Sequence, residues 1–146
     1  MILNLDFKDF VRLLTENKVE YLIVGGYAVG VHGYPRYTGD LDIWINSTTE
    51  NAKSVLKCVE DFGFASYRLS VSDFTKPGNI IQLGYPPVRI DIINLVDGVN
   101  FAECYKNKKD VTADDITLYF IGYDDLLKNK KKTSRPRDID DIENLT

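Results

Sequence analysis

The chain has 146 residues, 44% hydrophobic and 27% charged, with a formal net charge of -4, which fits one soluble globular domain. That charge argues against a protein that wraps nucleic acid by bulk electrostatics, although Lys128 to Lys132 with Arg135 and Arg137 form a local basic patch. Two cysteines, Cys58 and Cys104, lie far apart with no CxxC spacing, which speaks against a zinc site or a disulfide framework.

From the N-terminus, Phe7, Phe10, Val11, Leu13 and Leu14 fall at mostly helical spacing. A helix over 5–17 is expected, with Asn4 or Asp6 as cap. Glu20 to Val24 is nearly all apolar, as in a strand buried on both faces. Gly25 and Gly26 follow, then a short helix over 27–32 closed by Gly33 and Pro35. Asp40 to Asn46 reads as a second strand. Its Leu41, Ile43 and Ile45 face the core, while Asp40, Asp42 and Trp44 face the other way.

Thr48 or Thr49 opens a helix to about Phe62, with Gly63 at its C′ position. Asn79–Leu83 and Val88–Asn94 form a hairpin around a turn at 84–87. In its second strand Arg89, Asp91 and Ile93 share one face, opposite Ile90 and Ile92. A short helix over 101–106, a strand over 116–121 and a helix over 123–132 come next. Pro136 fits the first turn of a final helix ending at Leu145. The order favours an α/β or α+β fold with a small mixed sheet flanked by helices. One domain over 1–146 is expected, its core about 1–121 and a C-terminal helical segment about 122–146. No apolar run approaches the roughly 20 residues of a membrane span, and MILNLDFKDF lacks a signal-peptide pattern. A cytoplasmic protein is expected.

Three carboxylates invite a metal. Asp40 and Asp42 are two apart on a strand, hence on one face, roughly 6–7 Å apart at the backbone. Asp91 sits mid-strand between isoleucines, where a buried acid needs a partner or a metal. Oxygen ligands suit Mg²⁺ or Mn²⁺, held by carboxylates plus substrate phosphates. Gly25 and Gly26, between strand and helix, would let backbone amides approach a phosphate. Arg36 suits phosphate contact or pairing with Asp40. His32 suits contact with a nucleotide or a structural bond to a backbone carbonyl. Trp44 suits base stacking or core packing.

VGGYAVGVHGYPRYTGDLDIWI, with its Gly-Gly and Asp-x-Asp between apolar residues, resembles the signature of the polymerase β-like nucleotidyltransferase superfamily. The fuller pattern is most similar to the AbiEii/AbiGii-type nucleotidyltransferases of toxin–antitoxin and phage-defence loci. DDLLKNKKKTSRPRDIDDIENL resembles their C-terminal segment, with Arg137 where lysine is usual.

The resemblance implies transfer of a nucleoside monophosphate from a nucleoside triphosphate to a hydroxyl, with pyrophosphate released. Gly25 and Gly26 would position the triphosphate. Asp40, Asp42 and Asp91 would bind Mg²⁺ or Mn²⁺, and Asp91 could act as general base. Lys130 would offset phosphate charge, with Asp138 orienting it or capping the last helix. The acceptor stays open among an RNA end, a protein and a small molecule. A cognate toxin or antitoxin, or a second copy of the chain, would complete the acceptor side. The alternative is a catalytically silent nucleotidyltransferase-like antitoxin or regulatory module.

Overall fold

The alternation in DLDIWI and VRIDII sets the frame. In the computed structural model, which describes residues 5–146, these segments become β2 (Asp40–Ile45) and β4 (Val88–Ile93) and pair in parallel. β1 (Tyr21–Val24) runs antiparallel to β2. β3 (Ile80–Tyr85) runs antiparallel to β4. β5 (Lys109–Ala113) and β6 (Ile116–Phe120) form a second hairpin, and β6 joins β1 in parallel. Among the described residues, six strands make one mixed sheet in the order β3-β4-β2-β1-β6-β5.

One face of the sheet carries Ile23, Leu41, Ile43, Leu83, Ile90 and Ile92, all buried. Helix α1 (Leu5–Glu16) covers it, its Thr15 hydroxyl 2.8 Å from Tyr21 Oη. Helix α3 (Thr49–Val59), the third in chain order, lies beside α1 and is capped by the Thr48 side chain. Between them in sequence comes α2 (Gly25–Val31), which leaves β1 without a connecting loop. Asn4, one of the two expected caps of α1, lies outside the described residues.

The expected elements recur with shifted ends. Rather than running to Phe62, α3 continues past Val59 as a wider π turn over Glu60–Phe64, with Gly63 in the left-handed region. A short helix, α4 (Val71–Thr75), begins at a capping box between Ser70 and Asp73. α5 (Phe101–Lys106) covers part of the sheet face that carries the acids. Its Phe101 ring meets Trp44 edge-on at 5.1 Å between centroids, which is why Trp44 is buried although it alternates with the core set. β5 was not expected: KDVTA offers a single large apolar residue, and its pairing is set by β6 rather than by its own pattern.

Two helices end the chain. α6 (Tyr123–Thr133) stops at Ser134, whose backbone is left-handed, and α7 (Pro136–Leu145) starts with proline in its first turn. No helix among the described residues is long and apolar enough to cross a membrane.

Candidate active site

Register decides which acids meet. Asp42 lies directly beside Asp91 in the β2–β4 ladder, and Asp40 beside Arg89. All four therefore project from one face of the sheet. Arg89 grips Asp91 with two nitrogens, Nε to Oδ1 at 3.0 Å and Nη2 to Oδ2 at 3.1 Å. The same Nη2 reaches Asp40 Oδ2 at 2.5 Å. One guanidinium thus bridges two of the three expected ligands. Among the described residues, no group of three or more His, Cys, Asp or Glu side chains is gathered tightly enough to hold a metal ion as it stands.

Asp42 has no share in that bridge. Burial, then the charges of Asp91 and Asp40, push its pKa up to about 6, with Arg89 and Lys130 pulling the other way. Its Oδ2 occupies the space a side chain on Gly25 would need, and Gly25 has φ +70°. A Cβ on Gly26 would fall 2.5 Å from Thr38 Oγ1. The two glycines are therefore needed for close approach, Gly25 to the carboxylate and Gly26 to the loop before β2. Val24, which precedes α2, provides no side-chain cap for the first amides of that helix.

Opposite Asp42 stands a buried ion network. Lys130 is only 4% exposed, and its Nζ lies 3.2 Å from Asp138 and 3.0 Å from Asp141, both fully buried. Arg36 forks onto Asp141 at 2.9 and 3.1 Å, so its partner is Asp141 rather than Asp40. Thr133 and Arg135 donate to Asp138, whose Oδ2 also accepts the Arg135 backbone N–H at the start of α7. Burial opposes the charged form of Asp138, but bonds from Arg135, Thr133 and Lys130 hold its pKa well below the usual carboxylate range. Lys130, Arg36 and Arg135 thus share two buried carboxylates, and Asp97, beside α6, adds a third acid on this side of the cavity.

Between these walls is an open cavity of about 380 Å³. Gly25, Asp42, Lys130, Thr133 and Arg135 line its polar side, and Ile80 and Leu95 stand on its apolar side. Asp40 and Asp91 lie outside this wall, under Arg89. Of the expected residues, Gly25, Asp42 and Lys130 thus meet at one cavity, and Asp138 lies behind Lys130. His32 lies outside this lining, its Nε2–H donating to the Ile121 carbonyl oxygen at 2.7 Å.

Sequence reasoning assigns no site role to Arg89, Arg135, Thr133 or Asp141. It places Arg89 on the face of Asp91, as a residue two before it on a strand must be, and Arg135 in the basic patch, but gives neither a partner. Asp141 carries no such signal. It reaches Lys130 because α7 folds back on α6.

The donor types suit a hard divalent cation: three carboxylates lie on two paired strands, and Asp42 and Asp91 are register neighbours. The residues present fit Mg²⁺ or Mn²⁺ in charge and chemistry, with Arg89 as the resident counter-charge.

The family model described as a nucleotidyltransferase of unknown function (DUF6036) matches residues 4–146. Among solved structures, a candidate nucleotidyltransferase from Thermotoga maritima superposes with a TM-score of 0.63 at 16% identity, over 94% of this chain and 88% of that one. The lincosamide antibiotic adenylyltransferase LnuA, solved with lincomycin bound, gives a TM-score of 0.59 at 17% identity, over 99% and 96% of the two chains. Such low identities show a shared fold alone. No curated protein sequence matches the chain.

Proposed function

The chain belongs to that nucleotidyltransferase family, and from this premise we propose metal-dependent transfer of a nucleoside monophosphate from a nucleoside triphosphate to a hydroxyl acceptor. One observation carries the reading: Gly25, Asp42 and Lys130, from three separate segments, border a single cavity of about 380 Å³. Asp42 on one wall, and Lys130 and Arg135 beside Asp97 on the other, suit a metal-bound triphosphate.

The triphosphate lies against Gly25 and Gly26, where the first amides of α2 lack a side-chain cap. Lys130, backed by Asp138 and Asp141, and Arg135 offset its charge. Arg36 acts on it through Asp141. The acceptor oxygen attacks the α-phosphorus, and the bond to the α,β-bridging oxygen breaks. Pyrophosphate departs with that electron pair, and Asp91 takes the acceptor proton. Asp40, Asp42 and Asp91 would hold Mg²⁺ or Mn²⁺, which would supply charge stabilisation for the attacking and departing oxygens. The rest of the acceleration is positioning.

The acceptor is an RNA end, a protein or a small molecule, and LnuA is a solved adenylyltransferase of this fold with an antibiotic bound. The link to a toxin–antitoxin pair rests on the motif resemblance, and a cognate partner or second copy would complete the acceptor side. The compartment we assign is the cytoplasm, where both buried thiols, Cys58 and Cys104, stay free.

The test is incubation with each α-labelled nucleoside triphosphate, Mg²⁺, and RNA, lysate protein or small-molecule fractions in turn. The labelled species names the acceptor. No label above an Asp40→Ala control overturns the assignment of activity.

One observation favours a second reading, a catalytically silent antitoxin or regulatory module: Arg89 already neutralises part of the carboxylate site. Calorimetric titration with Mg²⁺ and the four triphosphates separates the two. Binding that is absent, or indifferent to Asp42→Asn, selects the silent module.

A further inference from the structure

A divalent cation and a guanidinium cannot share the same gap between carboxylates. Arg89 fills that gap. It approaches Asp91 as a two-pronged fork at 3.0 and 3.1 Å and closes onto Asp40 at 2.5 Å. Both oxygens of Asp91 and one of Asp40 are thereby engaged. The placement is built into the sheet. Arg89 is the register neighbour of Asp40 across the β2–β4 ladder, and it lies two residues from Asp91 on the same face. Its planar fork matches a carboxylate in a way lysine does not.

Asp42 is left outside the bridge, its Oδ2 against Gly25. Three carboxylates and one guanidinium sum to a charge of about -2, so the site still attracts a divalent cation. To draw all three acids onto one ion, Asp40 and Asp91 must first let go of Arg89. The side chain has room to leave: Arg89 is 28% exposed, whereas Asp91 beneath it is 13% exposed. On the far side of β4 lies β3, the edge strand, so nothing in the sheet beyond it blocks the movement.

We propose that Arg89 is the resident cation of the carboxylate site and competes with the divalent metal for Asp40 and Asp91. Metal entry and Arg89 release are one exchange. The chain without metal is therefore held in a compensated, non-catalytic arrangement, and metal affinity is set by the strength of the Arg89 fork. This inference rests on the metal-dependent reading above and adds its control.

The experiment needs no turnover. Free Mn²⁺ is followed by electron paramagnetic resonance as it is titrated into the native chain, Arg89→Met and Arg89→Lys, without nucleotide. Competition predicts binding about tenfold tighter or more in the methionine variant. It predicts tighter binding in the lysine variant too, because lysine keeps the charge but loses the fork. A lysine variant equal to the native chain overturns the claim that the fork sets metal affinity. A methionine variant that binds no tighter overturns the exchange.

Where the variants do not fold, the native chain answers. The ¹⁵N resonance of the Arg89 Nε–H is followed during a Mg²⁺ titration, in which exchange predicts faster loss of its proton to water as the bond to Asp91 opens. A resonance unchanged at saturating Mg²⁺ overturns the proposal while leaving metal-dependent transfer standing. No Mn²⁺ or Mg²⁺ binding by any of the proteins, with or without nucleotide, overturns both.

Discussion

Gly25 and Asp42 share one space: a Cβ on Gly25 would overlap Oδ2 of Asp42. The pairing follows from the sheet. Val24 is the register partner of Asp42 in the antiparallel β1–β2 ladder, so the next residue after Val24 arrives beside the carboxylate. The glycine pair and the DLD motif are thus two halves of one contact. Their separation along the chain is the length of α2 and of the loop that returns to β2.

Gly25→Ala meets two obstacles. The residue sits at φ +70°, which costs a residue with a Cβ about 1–2 kcal/mol. The new methyl group also forces Asp42 to turn. Gly33→Ala is the control, because Gly33 has φ +124° but nothing within 4 Å of an added Cβ. Urea denaturation should show both variants destabilised. Only Gly25→Ala should lose metal-dependent nucleotide binding in calorimetry. Equal nucleotide affinity in the two would detach Gly25 from the site.

Asp42 makes stability depend on pH. Its pKa in the fold is raised to about 6, first by burial and then by Asp91 and Asp40, against about 3.9 when unfolded. A carboxyl raised by folding contributes stability below pH 4 or so, and that contribution is lost as pH rises through about 6. The loss is about 3 kcal/mol at most. In chelator, the native chain should therefore lose ground to Asp42→Asn between pH 4.5 and 8, measured by urea midpoints. Parallel pH profiles for the two would show that Asp42 is not strained.

Sequence pattern carried the sheet well where side chains alternate. Leu41, Ile43, Ile90 and Ile92 announce a buried face, and Asp40, Asp42 and Asp91 the opposite one. The pattern could not say that Arg89 would take two of those acids, because a same-face neighbour can point to solvent as well. It could not reveal Asp141 as the partner of Arg36, since that contact spans 105 positions and depends on how α7 docks. β5 escaped because its only large apolar residue, Val111, makes no pattern. Local periodicity reports which face is buried. Ion partners between distant segments are settled by tertiary packing.

Lys130 is the cation that two buried carboxylates share, at 3.2 and 3.0 Å. Lys130→Met keeps much of the volume and removes the charge. Asp138 and Asp141 retain Arg135 and Arg36, but lose their common partner inside the protein. Removing one member of a buried ion pair typically costs about 3–5 kcal/mol, and a loss of that order is expected in chemical denaturation. Adding Asp141→Asn should recover part of it, because one uncompensated charge then disappears. A double variant less stable than the sum of the singles would refute this coupling.

Two arginine–aspartate forks in this chain contrast in burial, and Asp141 in the buried one is also held by Lys130. Arg36 holds Asp141 at 2.9 and 3.1 Å, and Arg12 holds Asp115 at 2.8 and 3.1 Å. The Asp141 side chain has no exposure, whereas that of Asp115 is 75% exposed. Water and salt screen the second pair, and its loss is readily compensated by hydration. Asp115→Asn should leave the thermal midpoint almost unmoved. Asp141→Asn leaves Lys130 and Arg36 short of negative charge in a dry site, so a loss of about 3 kcal/mol is expected. Raised salt should change the small Asp115 effect more, in proportion, than the Asp141 effect. Equal losses at the two positions would mean that the network around Lys130 is hydrated and is not the anchor of α7.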